Sequence, residues 1–312
     1  MENLIIAVNC VAPVFIMISV GALIRYFQKV PGQTFTHISN MSFQFLLPCS
    51  LFYSVYTTDL DTAVNPPLLA YMIGYLVIWY LIGFVGCTLL IREPRTRGAI
   101  IQNMFRANIA IVGMSMAVSM MGSAGVAAMS VAIAVLVPLY NILAVVTLET
   151  CRGGKVELRA TLLGIAKNPL ILACVLGVLF LLLGVSLPGA VLKAINQLGT
   201  AGSVMTLVAL GASFQLSGMK ENLRLIVAGT VLRLIVAPAV AVGGAVVFGF
   251  RGDALGVVLL CTASSLAASC YPMAIARDSN HKLTGQLVVT TSFLCCVTLF
   301  FWILLLRQFS LL

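Results

Sequence analysis

Apolar runs of about 20 residues, the helix length that crosses ~30 Å of hydrocarbon, recur from one end of this 312-residue chain to the other. Repeated passage through a bilayer accommodates so many of them; a soluble core does not. With 61% of residues hydrophobic and 9% charged, the chain falls well short of the roughly 25% charged content of soluble domains. The runs lack period-2 alternation, which excludes a transmembrane barrel. They place ten helical spans at 4–25, 37–57, 68–91, 99–121, 126–149, 167–185, 196–217, 224–250, 254–276 and 284–306. The expected fold class is an all-α polytopic membrane protein.

The basic residues test this partition. Arg25, Lys29, Arg92, Arg95, Arg97, Arg152, Lys155, Arg159, Lys167, Lys220, Arg224, Arg277 and Lys282 fall on one side of the predicted membrane, thirteen in all, and only three, Lys193, Arg251 and Arg307, fall on the other. The asymmetry alternates segment by segment, which assigns the thirteen to the cytoplasm and both termini to the outside of the plasma membrane. No basic segment precedes the first run, so that run reads as a retained span rather than a cleaved signal peptide. The net charge of +9 is thus scattered through short connections, and no nucleic-acid partner is expected. The nine cysteines lie mostly inside apolar runs without ligand spacing and are expected as small core residues.

A polar cytoplasmic segment at 150–166 divides the chain into 1–149 and 167–312, with five spans in each half. Because five is odd, two similarly folded halves must lie in the membrane in opposite orientation, the inverted-repeat plan of many secondary transporters. The fourth spans of the halves, 99–121 and 254–276, then correspond. One contains Gln102-Asn103-Met104-Phe105-Arg106-Ala107-Asn108, and the other Thr262-Ala263-Ser264-Ser265-Leu266-Ala267-Ala268-Ser269-Cys270. Polar groups at that depth are costly and mark candidate functional sites.

The chain resembles the auxin efflux carrier family, which includes bacterial malate permeases. The resemblance rests on Ala12-Pro13-Val14-Phe15 with Gly21, Leu47-Pro48 with Leu51-Phe52, Arg106-Ala107-Asn108 with Gly113, and Pro138-Leu139-Tyr140-Asn141 with Glu149. Lys167-Asn168-Pro169, Leu210-Gly211-Ala212-Ser213, and Arg233 with Pro238 complete it, in order along the whole chain. It implies ten helices in two inverted five-helix repeats, similar to bile-acid symporters and sodium/proton antiporters. It also implies broken fourth and ninth helices that cross at midplane, a scaffold half moving against a transport half, a small organic anion as cargo, and a homodimer. Prolines are implied at the crossing; Ala107 and Ser265 stand there instead.

A helix broken inside the membrane leaves peptide N–H groups without partners, and that positive end suits an anion. Asn108 and Asn141 would add amide donors, Ser264, Ser265 and Ser269 hydroxyls, and Arg106 a fork matched to a carboxylate. Each residue has an ordinary alternative. Ser264 and Ser269 bond back to the i−4 carbonyl or ease close helix approach; Asn108 makes a helix-packing bond; Arg106 snorkels to the cytoplasmic interface. Arg233 snorkels or bonds a neighbouring helix. Gln102 and Asn103 line the cytoplasmic mouth.

All nine acids fall at span ends or between spans, so no midplane carboxylate stands ready as a proton relay or sodium ligand. His37 and His281 read as surface residues. No Walker A motif, catalytic triad, cofactor or metal constellation is present. The favoured function is secondary transport of small organic anions such as malate; the alternatives are a cation-coupled symporter of an amino acid or bile acid and a non-transporting membrane sensor.

Overall fold

The computed structural model describes residues 2–28, 30–57, 65–121, 123–152, 167–213 and 218–312. Most of the divider (153–166), with Lys155, Glu157 and Arg159, lies outside them, as do Lys29, Asp59 and Asp61. The described chain is helical, and the described part of every apolar run noted above falls on a helix or on a pair of helices in series; the end of the run at 196–217 lies outside the described residues. The protein is an all-helical membrane protein.

α1 covers Glu2–Gln28. α2 (Gly32–Met41) passes through a π-helical turn at Ser42–Leu46 into α3 (Leu47–Tyr56). α4 (Pro66–Leu90) begins where the Asn65 side chain accepts the Leu68 N–H and two prolines occupy the first turn, whose N–H groups need no helical partner. α5 (Pro94–Phe105) stops abruptly; helix resumes as a π turn at Ile109–Gly113 and α6 (Met114–Met120). α7 (Ser123–Thr150) closes the first half.

The second half opens with α8 (Pro169–Leu182), again with an asparagine cap, Asn168, before a proline. α9 covers Gly189–Ser213. α10 (Leu223–Val231) continues through a π turn at Leu232–Val236 into α11 (Ala237–Val247). α12 (Gly252–Ala263) breaks, α13 (Cys270–Ala276) follows, and α14 (His281–Gln308) ends the fold. Four stretches, Pro66–Leu90, Gly125–Thr150, Leu223–Val247 and His281–Gln308, are each long and apolar enough to cross a bilayer alone.

Packing sorts the helices into two groups. In one, α9 crosses α1, α2 and α3, and α8 lies along α3. Glycines set this closeness: a Cβ on Gly21 would collide with the Val208 carbonyl, and one on Gly211 with the Ile18 carbonyl, so the α1 and α9 backbones touch. In the other group α4 packs on α5, α7 and α11 on α12, and α14 on α10 and α13. The groups meet where α1 lies against α14 and α2 against α13.

Candidate functional site

The site grows from two helix breaks that repair one another. The last helical bond of α5 is Arg106 N–H to the Gln102 carbonyl at 3.0 Å. Arg106 itself is extended. α12 ends at Ala263, and Ser264 is likewise extended. Where the two breaks cross, Ala107 and Leu266 form an antiparallel bridge. The Asn108 N–H donates to the Ser265 carbonyl at 2.8 Å, and the Ala267 N–H to the Arg106 carbonyl at 3.2 Å. The Leu266 N–H finds the Thr291 hydroxyl of α14 at 3.1 Å. Non-helical backbone is tolerated at membrane depth only where it is buried in protein or lines a cavity, and here the crossing pairs the Asn108, Leu266 and Ala267 N–H groups inside the protein. The breaks therefore exist without proline at 107 or 265.

Carbonyls at the ends of α5 and α12 are gathered by Arg233. Its Nε donates to the Ser264 carbonyl at 3.0 Å and a terminal nitrogen to the Met104 carbonyl at 3.1 Å. Trp79 Nε1 also reaches the Met104 carbonyl, at 3.1 Å. Arg233 is 2% exposed; of its two sequence alternatives, the helix–helix bond is the one present.

Beside the crossing lies a cavity of about 140 Å³. The second helix group contributes Arg106, Asn108, Asn141 and Ser269 to its wall, and the first group contributes Ser50 and Ser54 from α3, Leu170 from α8, and Ser203 and Thr206 from α9. The cavity thus sits on the seam between the groups. Asn108 faces it with a side chain that makes no hydrogen bond among the described residues. The helix that restarts at Ile109 brings N–H groups with no preceding turn to bond, and Ile109, Ala110 and Ile111 all line the wall.

Arg106 does not snorkel. It is 3% exposed and turns inward, donating to Gln102 Oε1 at 3.2 Å, Asn141 Oδ1 at 2.6 Å, Ser269 Oγ at 3.1 Å and Met273 Sδ at 2.9 Å. All four partners are neutral. Among the described residues no carboxylate lies within ion-pair distance of Arg106 or Arg233; the pairs present are Arg95–Asp278, Arg152–Glu149 and Arg277–Glu149.

The other expected residues divide. Asn141 lines the cavity, but its carbonyl is held by Arg106 and its amide donates to the Val137 carbonyl at 2.9 Å, so it positions Arg106 rather than offering a free donor. Ser264 does not reach the cavity; its hydroxyl bonds back to the Leu260 carbonyl. Ser265 also misses it, with a fully buried hydroxyl that has no partner among the described residues, and contributes its backbone carbonyl to the crossing. Gln102 and Asn103, expected at the mouth, are fully buried: Gln102 accepts from Arg106, and Asn103 donates to the Gly229 carbonyl of α10 at 2.8 Å. His37 and His281 are exposed. Among the described residues no group of His, Cys, Asp and Glu could hold a metal. Sequence reasoning missed Ser50, Ser54, Ser203 and Thr206. Their spacing, i to i+4 and i to i+3, puts each pair on one face of its helix, and that was the available signal.

A family model described as membrane transport protein, covering the auxin efflux carriers, matches residues 6–303. The chain belongs to this family. It is also similar to an uncharacterized transporter of Methanocaldococcus jannaschii, 23% identical over 312 aligned residues that span 94% of this chain and 98% of the relative. As a member of the membrane transport family the protein is a membrane transporter, and the match takes in both helix groups, the crossing and the cavity between them.

Proposed function

We propose that the protein is a secondary transporter of small organic anions, malate-like or other carboxylates, working by alternating access. One observation carries this: a buried guanidinium, Arg106, stands on the wall of a 140 Å³ cavity with only neutral partners. Burying a charge without a counter-charge is strongly unfavourable, and a carboxylate entering the cavity supplies the missing sign with a bidentate geometry. The Asn108 amide and the N–H groups at Ile109 add neutral donors.

The seam location supports the mechanism. Sliding of the α1–α3, α8 and α9 group against the other would expose the cavity to one side and then the other, as in carriers built from inverted repeats. In this reading the chain makes ten passages, as five-helix repeats at 1–149 and 167–312. It lies in the plasma membrane with both termini outside, on the thirteen-to-three distribution of basic residues.

The test is uptake and counterflow of labelled malate, succinate, lactate and acetate in proteoliposomes, with and without imposed sodium and proton gradients. Saturable counterflow of at least one acid is expected. Flux of none of them would sink the anion reading.

A further inference from the structure

We propose that the Arg233 guanidinium is a built-in cation: it fills the carbonyl-lined position at the helix crossing where a cation-coupled carrier would hold a monovalent cation, so transport here is not tied to sodium at that position. The second half of this statement rests on the transport function proposed above; the first does not.

The geometry starts from the helix ends. A helix C-terminus carries a partial negative charge and carbonyls without intrahelical donors, and interrupted helices present such ends to coupling cations. Here α5 and α12 both terminate toward the crossing, and their Met104 and Ser264 carbonyls, from segments 160 residues apart in sequence, converge on one side chain. Arg233 reaches them from the π turn at Leu232–Val236 of a third helix. That turn rotates the following residues out of ordinary α register, a distortion that often accompanies functional side chains.

The guanidinium is not neutralised. Among the described residues no carboxylate lies within ion-pair distance and its second terminal nitrogen, which is buried, has no hydrogen-bond partner. Arg233 also lines a cavity of about 20 Å³ beside Tyr75, Trp79 and Tyr140, roughly the space of one water. Its retained charge is therefore directed at the two carbonyls. A sodium ion at the same carbonyls would meet that charge at contact distance, so the two exclude each other.

The position is testable by chemical rescue on purified protein. Arg233→Ala removes the cation and leaves the carbonyls facing a guanidinium-sized hole. We expect its melting temperature to fall by about 10 °C and to recover by more than half in low-millimolar guanidinium, but not in urea, its neutral isostere. Wild type should melt at the same temperature in sodium as in N-methylglucamine. Should Arg233→Ala not fold, Arg233→Lys, which keeps the charge, is expected to fold and Arg233→Met, of similar length without charge, to be less stable than it. Equal rescue by urea and guanidinium, Met replacing Arg as well as Lys does, or saturable sodium stabilisation of wild type would each overturn the proposal. Because melting is read without any substrate, a failure to transport organic acids would count against the proposed function and leave this result standing.

Discussion

Asn141 Oδ1 accepts a hydrogen bond from the Arg106 guanidinium at 2.6 Å, across the gap between α7 and the extended link that follows α5. The amide aims the charge at the cavity without cancelling it. A carboxylate in the same place would cancel it. Asn141→Asp is therefore expected to pair with Arg106, keep or raise the melting temperature, and weaken binding of a transported acid by about 10-fold or more. Asn141→Leu should instead lower stability by about 1–2 kcal/mol by stranding buried polar groups. Measuring melting temperature and counterflow KM in both variants separates the two effects; an Asp variant with unchanged KM would remove Arg106 from the anion site.

Asn108 and Arg106 make different predictions although they are two residues apart. The Asn108 bond that holds the crossing uses its backbone N–H, so Asn108→Ala leaves the crossing intact and deletes only the cavity-facing amide. Folded protein with an affinity loss of about 10-fold is expected. Arg106→Gln should reduce affinity for dicarboxylates more than for monocarboxylates, since the lost Coulomb attraction scales with ligand charge. Competition assays against a single labelled acid would read both, and parallel losses for mono- and dianions would assign Arg106 to architecture.

What was legible in the sequence was whatever depends on hydropathy and spacing. The apolar runs located the helices, and the expected pairing of 99–121 with 254–276 named two segments that the structure bridges at Ala107 and Leu266. Side-chain direction was not legible. Arg106 reads as snorkelling or as buried, because seven residues from a predicted span end permit both, and only the extended turn at Arg106 points it inward. Ser264 and Ser265 carry the same hydroxyl chemistry as Ser269, yet Ser264 bonds its own helix and Ser265 is sealed away from the cavity. Arg233 was harder still: its role needs two carbonyls, Met104 and Ser264, that sequence cannot bring together.

The crossing of α1 and α9 should be the least tolerant place in the first helix group. Gly211 has backbone against its missing Cβ, the Ile18 carbonyl, which cannot yield as a side-chain tip could. Gly211→Val is expected to destabilise by about 3 kcal/mol or prevent folding. Gly74, in α4, has nothing within 4 Å of its missing Cβ, so Gly74→Ala should stay within about 0.5 kcal/mol of wild type. Thermal melts of the detergent-solubilised variants make the comparison, and equal effects would mean that the backbones do not touch.

The absent prolines at 107 and 265 give the sharpest local test of how the breaks are held. A proline needs its predecessor extended and its own N–H unused. Ser264 already stands at φ −64°, ψ 152° and Arg106 at φ −90°, ψ 98°. Among the described residues the N–H groups of Ala107 and Ser265 donate no backbone hydrogen bond; the crossing uses those of Asn108, Leu266 and Ala267. Both positions therefore meet these two requirements of the residue they lack. Ser265→Pro also removes a buried hydroxyl without a partner among the described residues, so it should stabilise the protein by up to about 1 kcal/mol, with Ala107→Pro near neutral and counterflow retained in both. Asn108→Pro, which deletes the donor to the Ser265 carbonyl, should cost about 2 kcal/mol or more. If all three prolines behave alike, the paired backbone at the crossing is not what holds the two broken helices together.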